Sequence, residues 1–159
     1  MTALKLPAVD PAKLEPQVGL DQYYPSPFNE PCRRKESRSL GDAAGISQFG
    51  AHLTVLPPGT WSSQRHWHMK EDEFIFVLEG EVVLVTDDGE QVLTAGTAAG
   101  FPAGKRDGHH LINRSDNPTK FLEIGTRTIT DDGEYSDIDM TFAVRESKFR
   151  VFHKNGEAY

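Results

Sequence analysis

His66 and His68 flank a single tryptophan, and Glu73 follows five residues after His68. Two imidazoles and a carboxylate at this spacing can bind a divalent metal if the backbone turns them to one side. Residues two apart point the same way on a β-strand but lie about 200° apart around a helix, so only a strand lets the histidine pair chelate. Residues 69–72 are short and charged, as a turn is, and residues 74–78 form an apolar run of strand-formers. Glu73 therefore opens a second strand that can return beside the first.

A second segment carries Gly96, Pro102, Gly104, His109 and Asn113. Together the two segments resemble the two motifs of the cupin superfamily. The first motif is matched by Gly59, His66, His68, Glu73 and Gly80, with six residues in place of the usual five between Gly59 and His66. The second is matched by the five residues just named, with four residues (105–108) where two are usual before the histidine, which a longer turn absorbs. The resemblance spans roughly residues 45–127 and implies that His66, His68, Glu73 and His109 bind one divalent transition metal. His109 and His110 are adjacent, and successive strand residues face opposite ways, so only one can be a ligand. The spacing to Asn113 selects His109.

The elements needed to position these groups are readable as short strands. Phe49, Ala51, Leu53 and Val55 alternate with Gly50, His52, Thr54 and Leu56, the period of a half-buried strand, and Pro57, Pro58 and Gly59 end it. Residues 82–85 and 91–93 flank Asp87-Asp88-Gly89, where an Asp-Gly pair suits a tight hairpin. Residues 98–101, 109–113 and 121–126 are further strands, and 142–144 and 149–152 are apolar runs in the tail. About eight strands without a long amphipathic helix point to an all-β sandwich or barrel. The resemblance makes this a double-stranded β-helix of jelly-roll topology.

The domain plan expected is an extended arm over 1–35, a barrel over 36–130 and a C-terminal extension over 131–159 packing on the barrel. The arm holds six of the ten prolines, which fix φ and remove donors, so regular sheet or helix is not expected there. Its Leu20, Tyr23, Tyr24 and Phe28 suit docking on a barrel, its own or a neighbour's. The acidic stretch 131–139 reads as a solvated loop; it lacks the ligand pattern of a calcium-binding EF-hand.

The 17 basic and 24 acidic side chains leave a formal charge of −7, which speaks against nucleic acid as a partner. Cys32 is the only cysteine, so no intramolecular disulfide forms. No apolar run reaches signal-peptide or membrane-spanning length. A cytoplasmic homodimer with a small-molecule substrate or ligand is expected.

Three imidazoles and one carboxylate suit Fe, Mn, Ni, Cu or Zn and leave two octahedral positions open. Strand parity places Gln64, Ile75, Val77 and Leu111 toward the cavity, with Gln64 a candidate for orienting substrate, and turns Arg65, Trp67, Phe74 and Phe76 away. His52 reads as an ordinary hydrogen-bonded histidine outside the site, and no cluster of Lys and Arg with cavity parity is evident to hold a phosphate. The resemblance implies a metal-dependent enzyme, read first as a dioxygenase-type oxidoreductase. The alternatives are a sugar-phosphate isomerase or lyase, and a non-catalytic small-ligand-binding protein.

Overall fold

Strand-formers separated by glycine and proline turns build an almost purely β architecture, seen in a computed structural model that describes residues 4–159. The strands are β1 (Gln17–Val18), β2 (Glu36–Ser39), β3 (Phe49–Leu56), β4 (His66–His68), β5 (Glu73–Glu79), β6 (Glu81–Thr86) and β7 (Gly89–Thr94). They continue with β8 (Ala98–Phe101), β9 (His110–Ile112), β10 (Thr119–Thr126), β11 (Thr130–Tyr135), β12 (Thr141–Arg145) and β13 (Lys148–Phe152). One helical turn, α1 (Leu40–Ala43), joins β2 to β3. No helix among the described residues is long and apolar enough to cross a membrane.

All pairings are antiparallel and fall into three sheets, β1-β2-β3-β10-β5-β8, β13-β12-β11-β4 and β7-β6-β9. The expected all-β barrel is thus what forms. Leu56, Ile75, Val77, Val82, Leu84, Leu111 and Phe121 fill the space between the six-stranded and three-stranded sheets. Register sets what faces inward: Glu123 lies between His52 and Ile75, and Phe121 between Thr54 and Val77. On the outer face of β5, Phe74, Phe76 and Leu78 are exposed.

Two motif residues fix the corners. Gly80, at φ 77°, takes the left-handed turn between β5 and β6, where a side chain would crowd the Pro118 carbonyl at 3.1 Å. Asn113 is fully buried, and its amide donates to the carbonyls of Leu56 at 2.7 Å and Asn117 at 2.8 Å. Those bonds tie the end of β3 to the loop before β10.

The arm departs from expectation in one respect and docks, as expected, on protein. β1 pairs with β2, so two of its residues do join the sheet. Leu20, Tyr24 and Cys32 also pack with Tyr135, Met140 and Phe142 of the C-terminal segment, so the arm docks on its own chain. Burial pushes the Cys32 thiol up to about 12, which leaves it protonated and unreactive at neutral pH.

Residues 131–135 of the acidic stretch read as a solvated loop instead belong to β11, with Asp131, Gly133 and Tyr135 buried in alternation, while 136–139 lie outside any strand. β11 pairs with β4, placing Gly133 opposite His68 and Tyr135 opposite His66. The boundary expected after residue 130 therefore falls inside a strand, and the extension completes the sheet that carries the histidines. Gly133 has no room for a side chain, because a Cβ would fall far inside contact with the Phe142 ring and the Trp67 carbonyl. Gly133→Ala is expected to destabilise the protein by about 1–3 kcal/mol, the usual cost of overpacking, read as a lowered urea midpoint. An unchanged midpoint would contradict this packing.

Candidate metal centre

β4 turns Trp67 to one side, beneath the Arg106 guanidinium at 5.3 Å, and both histidines to the other, with ring centroids 5.0 Å apart. His109 lies directly opposite His66, joined by reciprocal backbone bonds of 2.9 and 3.2 Å. Glu73, the first residue of β5, points into the same space. Its Oε2 is 2.8 Å from Nε2 of His109, 3.5 Å from that of His68 and 3.7 Å from that of His66. His66, His68 and Glu73 each offer a ligand atom within 4.8 Å of the others, and His109 joins them through Glu73.

The outer nitrogens determine which inner ones are free. Nδ1 of His66 donates to the Gln64 carbonyl at 2.9 Å, and Nδ1 of His68 to the Asp131 carboxylate at 2.7 Å. Each bond fixes the tautomer that leaves the Nε2 lone pair toward the centre. His109 stacks flat on Phe101 at 3.6 Å, and its buried Nδ1 has no partner. Its Nε2 proton therefore goes to Glu73. Three imidazoles aimed at one carboxylate, two of them locked with Nε2 free, fit a divalent metal.

Burial pushes His66 down to about 3, so it is a neutral donor at physiological pH. Burial also opposes charge on Glu73, but the His109 hydrogen bond and the other imidazoles outweigh it and hold the carboxyl well below its usual range. Burial works against charging His68 as well, and the Asp131 bond overcomes it and raises the pKa.

These groups form one end of a cavity of about 370 Å³. Ile75, Leu111, Tyr24, Tyr135 and Phe142 supply apolar wall, and Lys35, His52, Glu123 and Arg127 line the rest. Several sequence expectations change here. His52 belongs to the cavity, and two cations, Lys35 and Arg127, do reach it. Gln64 does not face it: its side-chain amide donates to the Phe28 carbonyl at 2.7 Å, and its contribution to the site is the main-chain carbonyl on His66. His110 turns to the Ser63 carbonyl at 3.1 Å and the Trp61 ring. The register of β3 and β10 is the signal that could have found His52 and Glu123; nothing near Lys35 or Asp131 in sequence marks either. A second cavity of about 180 Å³ reaches His68, Glu73 and His109 from the other side, past Trp67, Gln91 and Lys105.

Compared with solved structures, this chain is similar to a protein of Silicibacter pomeroyi described as a sugar phosphate isomerase from a cupin superfamily. The two are 44% identical, the match covers 96% of each chain, and the TM-score is 0.92. The chain belongs to the cupin superfamily. The family model described as the cupin domain matches residues 52–125 of this cupin. A protein of Acidithiobacillus ferrooxidans shares its fold at 24% identity and a TM-score of 0.79, covering 92% of this chain and 88% of the other. The polyketide cyclase RemF of Streptomyces resistomycificus does so at 20% identity and a TM-score of 0.60, covering 78% and 80%. No curated protein matches.

Asp131 holds this cupin's site together from behind, since it is fully buried and also accepts the Lys70 amide at 2.8 Å. Asp131→Ala would leave both donors without a partner. A loss of about 3 kcal/mol is expected in urea unfolding of metal-stripped protein, with a smaller loss for Asp131→Asn, which keeps an acceptor oxygen. Equal stability of wild type and Asp131→Ala would show that the bonds are not formed.

Proposed function

We propose that this cupin is a metal-dependent isomerase of phosphorylated sugars. The observation that carries the reading is one cavity with a metal-ligand group at one end and charged side chains elsewhere on its wall. The 44% identical relative, named a sugar phosphate isomerase, supports it more than the dioxygenase reading taken first from the sequence. His66, His68, Glu73 and His109 would hold one divalent metal, which when bound supplies a Lewis acid that polarises a carbonyl or hydroxyl oxygen.

The remaining work falls to the chain itself. Asp131 and the Gln64 carbonyl keep His66 and His68 aimed, and the wall of Tyr24, Tyr135 and Phe142 excludes water from the reacting end. Arg127 is half-exposed and spends one nitrogen on Asp42 at 2.6 Å, so its other donors suit a phosphate. Interconversion of an aldose and a ketose moves one proton between adjacent carbons and one between their oxygens, with no oxidant. It needs a carboxylate not committed to metal, and Glu71 and Glu123 both line the cavity.

Elemental analysis of purified protein should find one divalent metal per chain, lost from His66→Ala and kept by His110→Ala. Retention by the first variant or loss from the second would mean that the ligands are wrongly assigned. Protein loaded in turn with Fe, Mn, Ni, Cu or Zn should interconvert at least one of ribose 5-phosphate, arabinose 5-phosphate and glucose 6-phosphate with its ketose. Absence of turnover with every pairing would reject the isomerase.

A further inference from the structure

Lys35, His52 and Glu123 line the cavity together, and the buried Thr54 backs Glu123 from outside it. The Lys35 ammonium lies 3.0 Å from Glu123 Oε1, and the Thr54 hydroxyl donates to Glu123 Oε2. His52 stands directly opposite Glu123 on β3, and among the described residues its ring makes no hydrogen bond. Lys35 is fixed by the arm: its amide donates to the Cys32 carbonyl at 3.0 Å and its carbonyl accepts from Gly19 at 2.8 Å.

The fold has little use for this pair. Lys35 is only 9% exposed and Glu123 is partly buried, and the cost of drawing the charges away from water offsets much of their attraction, so apolar side chains would serve the wall about as well. What the pair does have is spare hydrogen-bonding capacity. An ammonium carries three donors, of which Lys35 spends one within the protein; a carboxylate offers about four acceptor sites, of which Glu123 has filled two. Unspent donors and acceptors side by side in a cavity match a hydroxyl group, which both donates and accepts.

The geometry joins this cluster to the metal ligands. Glu73 faces Gly125 on β10, and Gly125 faces Gly50 on β3, so no side chain stands beside Glu73 on the β10 side of its row. Glu123 is the diagonal neighbour of Glu73 across the β5–β10 pair, a Cα separation of roughly 7–8 Å. A short hydroxylated carbon chain spans that gap.

We infer that Lys35, His52 and Glu123, with Glu123 held in place by Thr54, form a subsite that recognises the vicinal hydroxyls of an open-chain polyol whose other end lies at the metal ligands. The polyol class rests on the isomerase reading, whereas the position of the subsite rests on the residues above. The test uses the full-length manganese-loaded protein and calorimetric titration with glucitol 6-phosphate, glucitol and inorganic phosphate. Glu123→Gln should weaken both polyols about tenfold, the loss of one or two hydrogen bonds, and leave inorganic phosphate and metal content unchanged. Because Lys35→Met alone leaves a partly buried carboxylate without its cation, the charge-free double variant Lys35→Met/Glu123→Leu serves as the folded control and should show the same polyol loss.

The subsite is overturned if wild-type protein binds glucitol 6-phosphate no better than inorganic phosphate, or if the double variant binds polyols as wild type does. Aldose turnover that survives in both variants would overturn the subsite and leave the isomerase standing. Polyol binding lost as expected, without turnover by wild-type protein, would support the subsite and reject the isomerase.

Discussion

The pairing of β4 with β11 is the constraint on which the site depends. β4 is three residues long and carries two of the converging imidazoles. So short a strand has little order of its own, and beyond β11 it is tied by the bridge between His66 and His109 and by the Gly104 amide on the His68 carbonyl. β11 supplies the ladder and, through Asp131, the charge that orients His68. Asp131 also accepts the Lys70 amide, so the turn that returns the chain to Glu73 hangs on the same carboxylate. Strand, turn and ligand orientation thus share one buried group.

The spacing of His66, His68 and Glu73 was legible because a strand's period of two leaves little freedom once the histidines are separated by one residue. The Asp-Gly hairpin and the strands of the barrel were legible for the same local reason. Gln64 was misplaced because parity holds only along a strand, and Gln64 precedes β4. Asp131 was missed because Asp and Gly are poor strand-formers and read as turn chemistry. In β11 tertiary packing overrides that propensity: Gly133 is present because Trp67 and Phe142 leave no room for a Cβ, and Asp131 because His68 and Lys70 need an acceptor. Lys35 lies 88 residues from Glu123, and no local pattern can report such a pairing.

Charge in the cavity is distributed with little waste. Glu73 is held anionic by imidazoles, and Glu123 is bonded to an ammonium and a hydroxyl, with an apolar wall nearby. Water is displaced by side chains whose dipoles are already fixed, so charge developing on a bound molecule would meet a prepared environment at either place. Arg65 secures the outside of the same region, donating to Asp137 at 2.7 and 2.9 Å, to Asp87 and to the Gly108 carbonyl that precedes His109.

The segment matched by the family model, residues 52–125, contains all four converging ligands. It leaves out Lys35 of the arm, Asp131 and Tyr135 of β11, and Tyr24, which packs edge-on against Tyr135 at 5.4 Å. The matched barrel segment is therefore not a portable module here. Grafted into another protein, or trimmed of its flanks in an expression plasmid, it would keep its histidines and lose the parts that aim and enclose them.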